Sequence, residues 1–134
     1  MLIEAALVCL TLNIYHESRG ESLLGQRAVA LVTMNRASHD SKKVCDVVFK
    51  DKQFSWANGR VMKVGHYYRL DIEKAKDRKA WETAKQHARL ALEGRLYDFT
   101  KGSTFYHAKR ITPYWAKSFK LVTVIGSHKF YVHV

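Results

Sequence analysis

The stretch "NIYHESRGE", residues 13 to 21, sets two carboxylates, Glu17 and Glu21, four positions apart around an arginine and a glycine. It follows directly on the apolar run "MLIEAALVCLTL". A carboxyl at the end of such a helix, facing a cleft, loses hydration, which disfavours its charged form and is expected to raise its pKa. That is the property a general acid needs near neutral pH. Taken alone, Glu17 is better explained by a buried ion pair with Arg19 or Arg36, or by simple exposure to water. Glu21 lies beyond Gly20 and beside Ser22, a candidate N-cap, so it suits a carboxylate that braces the motif.

Other chemistries have weaker claims. His16-Glu17 begins like the H-E-x-x-H of zinc proteases, but Gly20 stands where the second histidine belongs. The seven histidines, at 16, 39, 66, 87, 107, 128 and 133, have no ligand-type pairing along the chain, so neither a metal nor another cofactor is expected. Neither "ALVCL" nor "KVCDV" looks like an exposed electropositive thiol site, and no glycine-rich phosphate loop is present. Cys9 and Cys45 are expected to be two buried thiols, with a single disulfide left open.

Four elements or groups of elements must hold the motif. Leu2, Ile3, Ala6, Leu7, Leu10 and Ile14 recur at threes and fours and predict a helix over residues 2–15. Ser22 is a candidate cap for a second helix carrying Leu24, Ala28, Leu31, Val32 and Asn35 on one side. Residues 38–69 show no sustained period and predict loop with short elements, including a turn at Asn58-Gly59. Helix returns over residues 71–93, with Ala75, Trp81, Ala84, Ala88 and Leu92 in register and Gly94 placed to end it.

The last third changes character. "STFYHA" is strand-like, Pro113 marks a turn, and two β-branched or aromatic runs flank Gly126-Ser127 as in a hairpin. The expected fold class is α+β, mainly helical with a small C-terminal antiparallel sheet, in one domain spanning 1–134.

The chain of 134 residues carries 23 Lys+Arg against 12 Asp+Glu, a formal charge of +11. Three basic and four acidic residues fall in 1–40, whereas no acid follows Asp98 and 99–134 holds six Lys/Arg. Any partner met through long-range attraction should therefore be anionic. A nucleic-acid-binding module is the main rival class. It predicts steeply salt-dependent binding and indifference to the loss of Glu17. The opening run lacks a basic n-region and is too short to span a bilayer, so a chain made in a (host) cytoplasm without a cleavable signal is expected, with no membrane span.

Four blocks in order then carry a resemblance to the SleB-type cell-wall hydrolases, the spore-cortex-lytic catalytic domains and their phage relatives. "IYHESRGE" is similar to that family's acidic motif, and "GQRAVALVTMNR" to its second helix. "VCDVVFKDKQFSW" resembles the segment leading to Gln-Phe-Ser, and "STFYHA" with the later Trp and "VIGSHKFY" resembles its closing part. The resemblance covers residues 2 to 131 and implies a lysozyme-like fold and cleavage of peptidoglycan between N-acetylmuramic acid and N-acetylglucosamine, commonly as a lytic transglycosylase.

By position the resemblance implies Glu17 as the catalytic acid and Gln53, Phe54, Tyr106 and His128 as cleft or sugar-binding residues. Glu21 is a candidate second carboxylate or motif support, with Asp40, Asp46 and Asp51 as further candidates for a hydrolytic muramidase. Asn35 and Arg36 are expected to brace the acidic motif from the second helix, and Trp115 and Tyr131 to pack. Peptidoglycan is the expected partner, with anionic wall polymers or lipopolysaccharide beside it, and a monomer is expected. The high charge, with no wall-binding repeat or secretion signal expected, resembles a compact phage lysin that acts at the wall or periplasm after holin or virion delivery; a bacterial cell-wall hydrolase is the alternative.

Overall fold

The computed structural model describes residues 2–50, 61–64, 67–70 and 78–133. Its elements run α1 (Leu2–Ser18), α2 (Leu23–Arg36), α3 (Ser41–Val48), β1 (Val61–Val64), β2 (Tyr67–Leu70), α4 (Arg78–Leu92), β3 (Phe105–Ala108), a 3-10 turn (Tyr114–Lys117), β4 (Lys120–Ile125) and β5 (His128–Val132). This is the expected α+β class, mainly helical, with its larger sheet at the C-terminal end.

Helix α1 is the axis of the molecule. It packs against α2, α3 and α4, and Ala6, Cys9, Leu10, Thr11, Leu12, Asn13, Ile14 and Tyr15 are all buried. Burial therefore runs round the helix, where the sequence predicted one broad face; a helix enclosed on several sides loses its polar stripe. Small residues allow the enclosure. Ala84, Ala88 and Ala91 of α4 and Ala30 of α2 share one core with Leu10 and Ile14, so the backbones can approach closely without voids.

Local signals set the helix ends. The Ser22 hydroxyl accepts from the Gly25 amide at 3.1 Å and starts α2. Gly94 adopts φ +69°, the left-handed conformation that ends helices at little cost to glycine. Its amide donates to the Ala91 carbonyl, and that of Arg95 to the Leu90 carbonyl, closing the last turn of α4.

The middle of the chain carries short elements, as expected, and the structure gives their types. The run "VCDVVF" is mostly helix: Asp40 caps α3 by accepting from the Lys42 amide at 3.0 Å, and Val44 and Val48, one turn apart, enter the core. Eight residues give too few turns for a period to stand out. β1 and β2 then pair antiparallel, Val61 opposite Leu70 and Val64 opposite Tyr67. Asn58-Gly59, Gln53, Phe54, Asp51 and the first residues of the helix expected from 71 lie outside the described residues.

Cys9 and Cys45 form a disulfide joining α1 to α3, with Cα atoms 5.3 Å apart. Of the two readings of the cysteines, the favoured pair of buried thiols gives way to the open alternative, a single disulfide. The pairing depends on α3 being a helix laid along α1, a contact between elements that neither cysteine's neighbours encode.

The C-terminal sheet has the order β3-β5-β4, all antiparallel. Side chains alternate across it. Phe130 and Ile125 pack towards Ala28 and Val32 of α2 together with Tyr106. On the opposite face Trp115 of the 3-10 turn contacts Phe105, Phe119 and Tyr131. Trp115 and Tyr131 thus pack as expected.

Candidate active site

The acidic motif occupies the corner where α1 ends and α2 begins, and the sheet's inner face closes over it. Glu17 lies in the last turn of α1 and is half-buried. One turn earlier on the same helix, Asn13 is fully buried, its side-chain oxygen accepting from the Thr33 hydroxyl at 2.7 Å. That bond turns the Asn13 amide nitrogen the other way, where it is buried without a hydrogen-bond partner. Tyr106 on β3 brings a hydroxyl that is likewise buried and faces the side chains of Asn13 and Glu17.

Burial, reinforced by the negative charge of Glu17, holds the Tyr106 phenol well above its usual pKa; Asn13 and Arg36 oppose the shift without cancelling it. Glu17, Asn13 and Arg36 therefore all lie within electrostatic reach of one hydroxyl. That hydroxyl stays protonated, so it remains a donor at neutral pH. The combination can donate a proton from a carboxyl and steady a neighbouring oxygen with phenol and amide hydrogens.

Arg19 does not reach forward; its guanidinium donates to the Tyr15 hydroxyl and lies 4.8 Å from the centre of that ring. Arg36 sits over Phe105 at 5.1 Å and near Tyr106, consistent with a brace for the site. Asn35 does something else. Its amide donates to the Asp98 carboxylate and the Ser103 carbonyl, both at 3.0 Å, so it fixes the 98–103 loop ahead of β3. The expectation that Asn35 braces the acidic motif is corrected: it lies beside Arg36 on a helix, where neighbours face different sides.

Glu21 is spent on the C-terminal hairpin. Its carboxylate accepts from the Ser127 amide at 2.8 Å and the Ser127 hydroxyl at 3.1 Å, and lies 3.6 Å from Nδ1 of His128. Gly126 makes room: a Cβ there would stand 2.6 Å from the Glu21 carboxylate, and the backbone is left-handed at φ +56°. His128, buried, rests edge-on against Tyr106 with ring centres 5.4 Å apart. Glu21, His128 and Tyr106 thus form a line of contacts running from the motif corner to the group facing Glu17.

This clamp has a pH signature. The Ser127 amide bond, aided by the Ser127 hydroxyl and His128, holds the Glu21 carboxyl below its ordinary value despite some burial. Burial lowers the His128 pKa against the attraction of Glu21. A carboxylate depressed on folding stabilises above its unfolded pKa and loses that contribution as pH falls through the folded value. A histidine kept neutral by burial likewise loses stability below its unfolded pKa. Acid therefore weakens the clamp on both counts. Glu21→Gln should cost about 1–2 kcal/mol at pH 7, with the difference from the parent protein closing below roughly pH 4. Urea midpoints at the two pH values check this, and a difference that ignored pH would contradict the charged clamp.

Among the described residues no three His, Cys, Asp or Glu side chains gather as a metal site would require. Sequence reasoning passed over Asn13 as an apolar-helix residue. Its signal was the Asn13/Glu17 spacing of four, which puts both on one helix face.

A family model for cell wall hydrolases matches residues 20–131. The chain belongs to that cell wall hydrolase family. The matched range begins at Gly20, so Glu17 lies just ahead of it. Two solved structures are similar over 96% of this chain. The catalytic domain of the Bacillus cereus SleB protein is 27% identical, with a TM-score of 0.69 over 90% of its length. The catalytic domain of the germination-specific lytic transglycosylase SleB from Bacillus anthracis is 29% identical, with a TM-score of 0.70 over 94% of its length. No curated protein matches significantly. The expected family and fold are thereby established, and the chain is an enzyme of cell-wall cleavage.

Proposed function

We propose that this cell-wall glycosidase cuts peptidoglycan strands between N-acetylmuramic acid and N-acetylglucosamine as a lytic transglycosylase, with Glu17 as acid and then base. The observation that carries the proposal is Glu17 at the end of the enclosed helix α1, within electrostatic reach of a buried Tyr106 hydroxyl that keeps its proton. The unsatisfied carbonyls of a helix's last turn form the negative end of its dipole, which favours a protonated carboxyl there.

In the proposed reaction protonated Glu17 donates to the glycosidic oxygen, that bond breaks, and positive charge develops at the muramic acid C1. The resulting carboxylate takes the proton from the sugar's own C6 hydroxyl, whose oxygen bonds to C1. A 1,6-anhydro ring forms and no water is consumed. The lytic transglycosylase named among the similar structures supports this outcome.

A hydrolytic muramidase needs a second carboxylate roughly 5–9.5 Å from the acid. Two of the candidates have other work: Glu21 binds Ser127 and Asp40 caps α3. Mass spectrometry of fragments released from purified peptidoglycan separates the two reactions. Anhydro ends, lighter by one water, are the expected product; reducing ends would establish a hydrolase instead.

The setting belongs to the same proposal: a phage lysin, or alternatively a bacterial cell-wall hydrolase, made in a (host) cytoplasm and delivered to the wall. The Cys9–Cys45 disulfide suits action in an oxidising compartment such as the periplasm.

A further inference from the structure

The sheet turns one face to the candidate site and the other away from it. Tyr106, His128 and Phe130 belong to the inner face; Phe105, Lys129 and Tyr131 alternate with them and belong to the outer face. Strand pairing puts Leu121 opposite Tyr131 and Val124 opposite Lys129, and directly paired residues share a face. Leu121 and Val124 therefore stand on the outer side, and they are 46% and 44% exposed.

Beside them the 3-10 turn presents Tyr114, 93% exposed, while its neighbour Trp115 packs down onto Tyr131. Ile111, on the segment that leads from β3 to this turn, is half exposed. Cations surround these apolar groups. Lys109 follows β3 at the hairpin-turn end, where its amide bonds to the Ser127 carbonyl. Lys117 and Lys120 lie at the other end of β4, and all three are exposed. The segment 99–134 that supplies every one of these groups contains no acidic residue.

We propose that the outer face of the β3-β5-β4 sheet is a docking surface for an anionic phospholipid bilayer. A soluble polyanion would be served by the cations alone and offers nothing to aliphatic side chains. A bilayer interface takes both, with basic residues at the headgroup phosphates and Leu121, Val124 and Tyr114 at the acyl boundary. No helix among the described residues is long and apolar enough to cross a membrane, so the contact is adsorption. Because the two sheet faces are opposed, a bilayer on the outer face leaves the Glu17 side directed away from it, towards wall glycan lying above the membrane.

The test is sedimentation of the full chain with vesicles of phosphatidylglycerol and phosphatidylcholine in equal parts, against vesicles of phosphatidylcholine alone. Binding is expected only to the anionic vesicles, weakened roughly tenfold by Leu121→Ser combined with Val124→Ser. The melting temperature should fall by only a few degrees, since both side chains are nearly half exposed, and the cleavage of soluble glycan fragments should stay unchanged. If the double variant folds poorly, Tyr114→Ser decides, since a ring so exposed contributes little to folding; a loss of roughly threefold is expected.

No binding to anionic vesicles would overturn the proposal. So would binding that the apolar substitutions leave intact while soluble poly(glycerol phosphate) competes it away, which would make the face a polyanion site. Either failure leaves the cleavage proposal standing, because none of these residues belongs to the candidate active site.

Discussion

Glu17→Gln should lower peptidoglycan cleavage by about 10²–10⁴-fold, the range by which a positioned general acid accelerates its reaction. The substitution keeps the shape of the side chain and removes only the transferable proton. Glu17 is half-buried in the last turn of α1, a helix already locked by Leu10, Ile14 and Tyr15 in the core, so little change in stability should accompany the loss. Release of soluble fragments from purified walls gives the rate, and thermal melting gives the control. A second readout comes from Tyr106, whose phenol is pushed up first by burial and then by the Glu17 charge. Removing that charge should move the phenol's ultraviolet titration back towards the ordinary tyrosine range. A variant that keeps more than roughly a tenth of the activity would be incompatible with the acid role.

How far the sequence discloses such a site depends on the distance over which each residue acts. Ser22 as a cap, Gly94 as a stop and the Gly126-Ser127 hairpin are decided within a few residues of backbone, and each is legible for that reason. α3 is hidden because eight residues with two core positions, Val44 and Val48, look the same in a loop or a short helix. Glu21 could be read as a brace from its place beside Gly20 and Ser22. Its partner, Ser127, is 106 residues away, and only the packing of the sheet on α2 brings them together. Asn35 failed for a related reason, since on α2 it turns to Asp98 and Ser103 while Arg36 turns to Phe105 and Tyr106. Asn13 is the instructive omission. A polar side chain deep in an apolar helix either finds a partner or serves a site, and its oxygen and nitrogen here divide those tasks between Thr33 and the surroundings of Tyr106.

Replacing Cys9 and Cys45 together by serine should destabilise the fold by about 2–4 kcal/mol, through the freedom regained by the unfolded chain. The two residues are 36 apart in sequence, and closing a loop of that length removes entropy worth just under about 4 kcal/mol in the chain-entropy account. For a domain of this size that corresponds to a fall of roughly 10 °C in melting temperature, measurable by calorimetry. Cleavage at 25 °C should survive, because α1 is held by α2 and α4 as well as by α3, and Glu17 lies two turns along the helix from Cys9. Loss of stability without loss of activity would assign the bridge to anchoring α3. Loss of both at 25 °C would mean that α3 also sets the position of the acid. A thiol titration on the unreduced, denatured protein tests the premise itself: no free thiol is expected, and two would show that the bond is absent in solution.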